Sequence, residues 1–444
     1  MALNAAQQWW IRAGGLETNG GGFDATISGA GTNYADQDSP QLSITDLTST
    51  NSTTATSALS TFTSQMVGNI LRLASGTGTT PAYYAIVAYV SASQVTLDRV
   101  SGTYTAGVAK VGGAHPSIGQ YSNGGSITAP AIATPLAAGH TVNIRGAGSA
   151  DPSSPDYTYG GGVYASFPAG DTTNGRITWL GYNGRPRINC DALLFYQVSN
   201  HAFSHIKLFI ATATYPNYGV INGVSSTVVT LTDSIVDSNG SDCMGVSALV
   251  VVACWFKNSG STSVGTNTYA AIVCLGYNST VIGNVIDSWR GDGVYTDKMC
   301  NLEFNIIVNC KVHGVECANV TDAFMSTFVN NTIHGHTGDG IKLTSAAAIL
   351  STIVRNNILT GNGGYGLNDS VGSTSLNDRT APYGGNDYNN YGTGGTANTS
   401  GARHFLSAGA NDLALDPQFT NAGAGDYSVG TNMKAVAFPG PFAS

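Results

Sequence analysis

Four short windows hold the residues best suited to chemistry: NVIDSWRGDGVYTD from Asn284, NIIVNCKVHGVECA from Asn305, NTIHGHTGDGIKLT from Asn331 and NILTGNGGYGLNDS from Asn357. Aligned without gaps, they set Asp292, His313, Asp339 and Tyr365 just before a shared glycine, and Tyr295, Glu316, Lys342 and Asn368 two residues after it. If the windows stack as parallel strands, neighbours in a column lie ~4.8 Å apart. Glu316 and Lys342 then sit about 5 Å apart, and Asp292 and Asp339, two steps apart with His313 between, about 10 Å apart. Paired carboxylates about 6.5–9.5 Å apart admit a water for hydrolysis with inversion. Asp292, Glu316 and Asp339 are therefore the candidate catalytic residues. One of Asp292 and Asp339 would be the general acid, and the other, or Glu316, the base. His313, Lys342 and Tyr295 are candidate ligand contacts. The competing reading is a solvated surface ladder in which Glu316 and Lys342 form an exposed ion pair of little worth.

Other chemistries find less support. Asp292 and Asp297 beside Lys298 make a thin calcium cage. Arg290 and Lys298 are the cations available for a lyase base. His334 and His336, two apart on a strand, would share a face, and a solvated turn explains them as well as a metal does. No G-x-S-x-G or phosphate-binding loop occurs. The seven cysteines include no C-x-x-C pair and read as small core hydrophobes. No metal and no cofactor are expected.

The elements that must position these residues are short strands. The aligned asparagines step by 21, 26 and 26 residues, the glycines Gly293, Gly314, Gly340 and Gly366 keep register, and so do Val294, Val315, Ile341 and Leu367. A period of 20–30 residues with alternating β-branched residues marks a β-solenoid, not a helical repeat. The expected fold is all-β, a right-handed parallel β-helix. Stacked asparagines would form an amide ladder, and the glycines would allow a corner with positive φ. Looser copies begin at Ser234 and Ala253, and early coils at Gly139, Gly175 and Phe203.

Three regions are expected. Residues 1–125 form a β-rich N-terminal attachment region, 126–370 the β-helix, and 371–444 a loop-rich C-terminal cap or oligomer contact. NILRLASGTG and AYYAIVAYVSASQVTLDRVSG read as strands joined by turns. Trp9 and Trp10 are too apolar to leave in water and are expected to dock on a partner chain. Loop tyrosines Tyr157, Tyr159, Tyr164, Tyr383, Tyr388 and Tyr391 suit sugar stacking. Net charge is -8 with 18 Lys plus Arg, which argues against nucleic acid as a partner. No apolar run is long enough for a membrane span. The opening MALNAAQQWWIRAGG lacks the pattern of a secretion signal.

The coil frame Asn-x-Ile…Gly-Asp-Gly-Val resembles right-handed parallel β-helix proteins of the pectate-lyase-like superfamily, over about residues 140–430. LDPQFTNAGAGDYSV looks like the closing coil of such chains. NGGGFDATISGAGTNYADQD through VTLDRVSG, joined to GRITWLGYNGRPRI, resembles β-helix proteins of tailed bacteriophages. That resemblance implies a tailspike-like virion protein, made in the host cytoplasm. It also implies a homotrimer attached to other virion proteins through its N-terminal region and contacting host surface polysaccharide. The alternatives are a structural or capsid-decorating protein without catalysis, and a polysaccharide hydrolase or lyase.

Overall fold

In the computed structural model the described residues are 8–21, 40–125, 136–159, 164–191, 194–212, 217, 219–223, 228–241, 244–260, 269–274, 276, 278–318, 326–344, 352–369, 403–404, 416–424 and 426–427. The chain divides into two compact units. One comprises Met1–Thr158, Val163–Ile188 and Val198–Ile206; the other comprises Tyr159–Gly162, Asn189–Gln197 and Lys207–Ser444.

The first unit contains a closed barrel. Its strands, in order around the wall, are Pro40–Thr50, Thr54–Thr56, Gln94–Leu97, Ala82–Ser91, Ile70–Thr77 and Thr103–Gly112. Alternating residues such as Ile44, Leu71, Leu73, Ile86, Val95, Leu97 and Val111 fill its interior. Closure removes the free edges that an open sheet would expose. The Ser/Thr-rich segment TDLTSTNSTTATSALSTFTS, residues 45–64, shows no strong periodicity, yet it forms the end of Pro40–Thr50 and all of Thr54–Thr56, with Asn51 at a positive φ of 55° between them.

Trp9 and Trp10, expected as contacts for another chain, are instead buried in this one at 0% and 7% exposure. Gln8–Ile11 pairs in parallel with Thr141–Arg145, which also pairs with Ile177–Tyr182. The tryptophans are thus part of the first rung of a parallel stack. Trp9 Nε1–H donates to His140 Nδ1 at 3.0 Å, and its ring meets Tyr83 and Tyr121 edge-on. Trp10 meets Tyr182 edge-on at 4.9 Å between ring centres. Burying two indoles within the chain removes the apolar surface that would have called for a partner.

The second unit is a solenoid of three-stranded coils. One complete coil runs Ser326–Val329, Thr332–His334 and Ile341–Leu343, and Thr352–Arg355 begins the next. The first sheet stacks Thr230–Thr232, Val250–Val252, Ser279–Ile282, Cys300–Glu303, Ser326–Val329 and Thr352–Arg355. The second runs from Lys207–Thr212 to Ile358–Thr360. The third runs from Ile221–Gly223 through Val294–Thr296, Val315–Cys317, Ile341–Leu343 and Leu367–Asp369 to Arg403–His404. Every pairing among these is parallel. The fold is a parallel β-helix.

Columns fill the interior. Val281, Leu302 and Phe328 stack in the first sheet, Ile286, Ile307 and Ile333 in the second, and Val294, Val315 and Ile341 in the third, all within 1% of full burial. Each such side chain contributes about 1.5–3 kcal/mol of burial. The six described cysteines are buried, and none of them is in a disulfide.

The corner between the first and second sheets carries the asparagine ladder. Asn284 N–H and Nδ2–H both donate to Asn305 Oδ1, at 2.9 and 3.0 Å. Asn305 does the same to Asn331, and Asn331 to Asn357. The residue before each rung takes a positive φ: Gly283 at 65°, Phe304 at 57°, Asn330 at 59° and Asn356 at 56°. This explains the doubled asparagines at 330–331 and 356–357. The first tolerates the left-handed backbone, and the second bonds along the stack.

The aligned glycines serve a different purpose from the one expected. Gly293, Gly314 and Gly340 are not at positive φ; a Cβ on each would lie 2.6 Å from the carbonyl oxygen of Gly314, Gly340 and Gly366 respectively. They are glycines because consecutive coils approach backbone to backbone at this corner.

Candidate functional site

The third sheet turns Val294, Val315, Ile341 and Leu367 inward and their successors outward. Tyr295 pairs with Glu316, Glu316 with Lys342, and Lys342 with Asn368. All four are half-buried. They form one outward row at strand spacing, ~4.8 Å per step.

Behind this row, the corner before the glycines forms a second ladder. His313 N–H donates to Asp292 Oδ1 at 2.9 Å, Asp339 N–H to His313 Nδ1 at 2.8 Å, and Tyr365 N–H to Asp339 Oδ1 at 2.8 Å. Each side chain accepts the backbone N–H of the next coil. A side-chain acceptor suits the position wherever a further coil follows, as for Asp292, His313 and Asp339; Tyr365, the last of the four, contributes its backbone N–H.

The three members differ in what remains free. Asp339 has both oxygens engaged, since Asn368 Nδ2–H donates to Oδ2 at 2.8 Å. Asp292 is fully buried, and its Oδ2 has no hydrogen-bond partner. Burial pushes its carboxyl up to about 7, Glu316 adds to the rise, and the His313 N–H and Lys342 oppose it. His313 is pushed down by burial and by Lys342, against the pull of Asp339 and Glu316. Its Nε2 lies 3.3 Å from Lys342 Nζ.

The structure therefore brings Asp292, His313, Glu316, Lys342 and Tyr295 together and commits Asp339 to the ladder. One ligand atom each from Asp292, His313 and Glu316 lies within 4.8 Å of the others. The trio suits a cation poorly. His313 Nδ1 already accepts an N–H, so a neutral ring carries its proton on Nε2 and has no lone pair to give. Lys342 adds a positive charge beside it.

Other sequence candidates lie apart. Arg290 donates to the Gly240 carbonyl. His334 and His336 do not share a face, because Gly335 between them takes a φ of 75°. His334 is outward and packs against Phe419 and Tyr427. His336 is buried, accepts Cys310 N–H at Nδ1 and bonds the Ile307 carbonyl through Nε2. Asn362 accepts His336 N–H, giving a third ladder of Cys310, His336 and Asn362. Its 26-residue step was available in the sequence, although no asparagine repeat marked it. Tyr157 is buried with its hydroxyl on the Arg145 carbonyl. Tyr383, Tyr388 and Tyr391 lie outside the described residues.

A fold of stacked parallel coils with one polar row on an outer sheet defines the class: a parallel β-helix protein with a lateral candidate site. No family model matches the chain, and no curated protein matches it. Among solved structures, tailspike protein 3 of bacteriophage CBA120 is similar at 13% identity, over 51% of this chain and 44% of that one, with a TM-score of 0.18. This chain thus spans less than half the length of that tailspike. A mutant of a periplasmic alginate epimerase is similar at 12% identity, over 63% of this chain and 76% of that one, with a TM-score of 0.17. Likeness at this level carries no argument about function.

Proposed function

We propose that this protein is a glycan-contacting surface appendage, a tailspike-like virion protein that meets host polysaccharide along its third sheet. The observation that carries the reading is the row Tyr295, Glu316, Lys342 and Asn368. An aromatic face, an anion, a cation and an amide stand in line at a spacing near one sugar unit, half-sheltered as a binding surface needs. The sequence resemblance to tailed-phage β-helix proteins supports the virion setting, attachment to other virion proteins and a homotrimer. No described helix is long and apolar enough to cross a membrane.

Cleavage is the second reading, favoured by one observation. Asp292 is raised to about 7 while it stands beside a second carboxyl, Glu316, and two carboxyls with separated titrations can divide acid and base roles. Full burial of Asp292 keeps it from touching a sugar directly, so binding is the conclusion and cleavage the variant. The test is one experiment with two readouts. Purified protein is mixed with extracted host surface polysaccharide. Retention of the polysaccharide is measured, together with new reducing ends and the ultraviolet absorbance of unsaturated sugar. Retention lost in Tyr295→Ala supports the reading, and no retention removes it. Reducing ends that vanish in Glu316→Gln establish hydrolysis, whereas the unsaturated signal establishes a lyase.

A further inference from the structure

We propose that Cys274 and Cys300 are a disulfide site, which a small-molecule disulfide closes into a staple around one coil. The two sulfurs lie 3.6 Å apart, and both residues are fully buried. Cys274 ends Ile272–Cys274 in the third sheet. Cys300 opens Cys300–Glu303 in the first sheet, in register with Ser279 of the strand that follows Cys274. The sulfurs therefore meet across two successive coils, at the corner from the third sheet to the first. The hydroxyls around them serve the backbone. Thr296, beside Cys274 in register, donates to the Lys298 carbonyl at 2.7 Å, and Ser279 to the Gly276 carbonyl at 2.9 Å. Ser326 Oγ accepts Cys300 N–H at 3.2 Å. The sulfurs instead face each other, in a contact that is a weak hydrogen bond at most.

An S–S bond of about 2.05 Å requires each sulfur to move by less than about 1 Å. It would close a 26-residue interval, the length of one coil, around Asn284, Asp292 and Tyr295. Such a link limits the freedom of the unfolded chain and so stabilises the coil that carries two residues of the candidate site. The co-reactant is a small disulfide such as oxidised glutathione. One protein thiolate attacks it and releases a glutathione thiolate; the second attacks the mixed disulfide and releases the other. Two S–H bonds break, one protein S–S bond forms, and the glutathione thiolates take up the two protons. The packed coil resists this step, since the hydrogen bond with Cys274 and burial push the Cys300 thiol well above its ordinary range. The staple closes while the coil is open, during folding or local unfolding, and packing then shields it from reductant. Cys317, next in register beyond Thr296, is the competing partner.

The test uses the intact chain. Reduced protein is unfolded in urea and refolded with a mixture of reduced and oxidised glutathione, or with reduced glutathione alone. Free thiols are then alkylated in denaturant, and peptide mass spectrometry assigns each of the seven cysteines. The same map is made for folded protein held with the mixture just below its urea transition, where coils open, so that the result does not hinge on refolding. The Cys274–Cys300 link is expected to dominate in the parent and in Cys317→Ala, and to be absent from Cys274→Ala. The linked parent should unfold at a higher urea concentration than the reduced one, by a shift that dithiothreitol removes. Cys274 and Cys300 alkylated as fully as the other five cysteines overturn the site, and so does a dominant link through Cys317. A Cys274–Cys300 link that lowers the urea midpoint overturns the staple, because the bond then strains the coil. Where a variant fails to fold, the parent's own peptide map decides.

Discussion

At the scale of single residues, titration and burial pull in opposite directions. Asp292 has a folded value of about 7 against 3.8 for an ordinary aspartate. The unfolded chain gives up this proton first as pH rises, so stability falls between about pH 4 and 7 and levels off above. The loss is about 4 kcal/mol for a shift of this size. Asp292→Asn keeps an acceptor for His313 N–H and cannot ionise. Its melting temperature should exceed the parent's at pH 8 by more than it does at pH 5. The buried histidines act the other way. His115 and His201 are held down to about 4 and His336 to about 3, chiefly by burial, from 6.5. The unfolded chain takes up these protons first, so their contribution is complete above pH 6.5 and is lost as pH falls toward 4. His201 accepts the indole N–H of Trp179. Tryptophan emission should therefore report a loss of the first unit's packing on acidification through that window, with no matching change between pH 7 and 8.

At the scale of elements, the ladders set the register. Asn331 accepts two bonds from Asn305 and donates to the carbonyls of Leu302 and Val329 and to Asn357, all in a buried corner. Replacing it by alanine takes the acceptor from the buried Asn305 N–H and a donor from the Leu302 carbonyl, each costing about 1–3 kcal/mol. Asn331→Ala should lower stability by about 3–5 kcal/mol in urea unfolding. A loss under 1 kcal/mol would mean that water replaces the ladder. The same logic separates the two carboxylates of the site. Asp339 is held by Tyr365 N–H and Asn368, whereas Asp292 keeps one oxygen without a partner.

At the scale of the molecule, the solenoid is a sum of similar coils, each touching only its neighbours. Removing residues 331–356 takes out one 26-residue period and joins Asn330 to Asn357. Asn305 then faces Asn357, Phe328 keeps its place, and Glu316 neighbours Asn368. This shortened protein should fold, with unchanged circular dichroism per residue and undiminished protease resistance. Removing 13 residues, 331–343, breaks the register and should abolish folding. Two deletions that behave alike would contradict the coil-by-coil account.

The repeat was legible in the sequence because stacking forces each column to hold one kind of residue. Asn284, Asn305, Asn331 and Asn357 had to recur, and so did the apolar run from Val294 to Leu367. Alternation along a strand likewise turns Tyr295, Glu316, Lys342 and Asn368 outward. Other features depended on contacts between residues far apart in the chain. Trp9 and Trp10 looked like surface to be covered until the strand at Thr141 was seen beside them. The barrel strands at Ile70 and Ala82 were legible, but the strand Thr54–Thr56 and the end of Pro40–Thr50 were hidden in a Ser/Thr-rich stretch without periodicity, and closure depended on their pairing with distant strands. The aligned glycines looked like turn formers, and only the 2.6 Å approach of the next coil showed their reason. The site divided in the same way. Residue types and spacing assembled the column Asp292, His313 and Asp339, but which carboxylate is engaged is a matter of neighbouring backbone. Hydrogen bonds between coils decided that Asp339 is part of the scaffold, that His313 Nδ1 meets the Asp339 N–H, and that Asp292 is left with an unanswered oxygen.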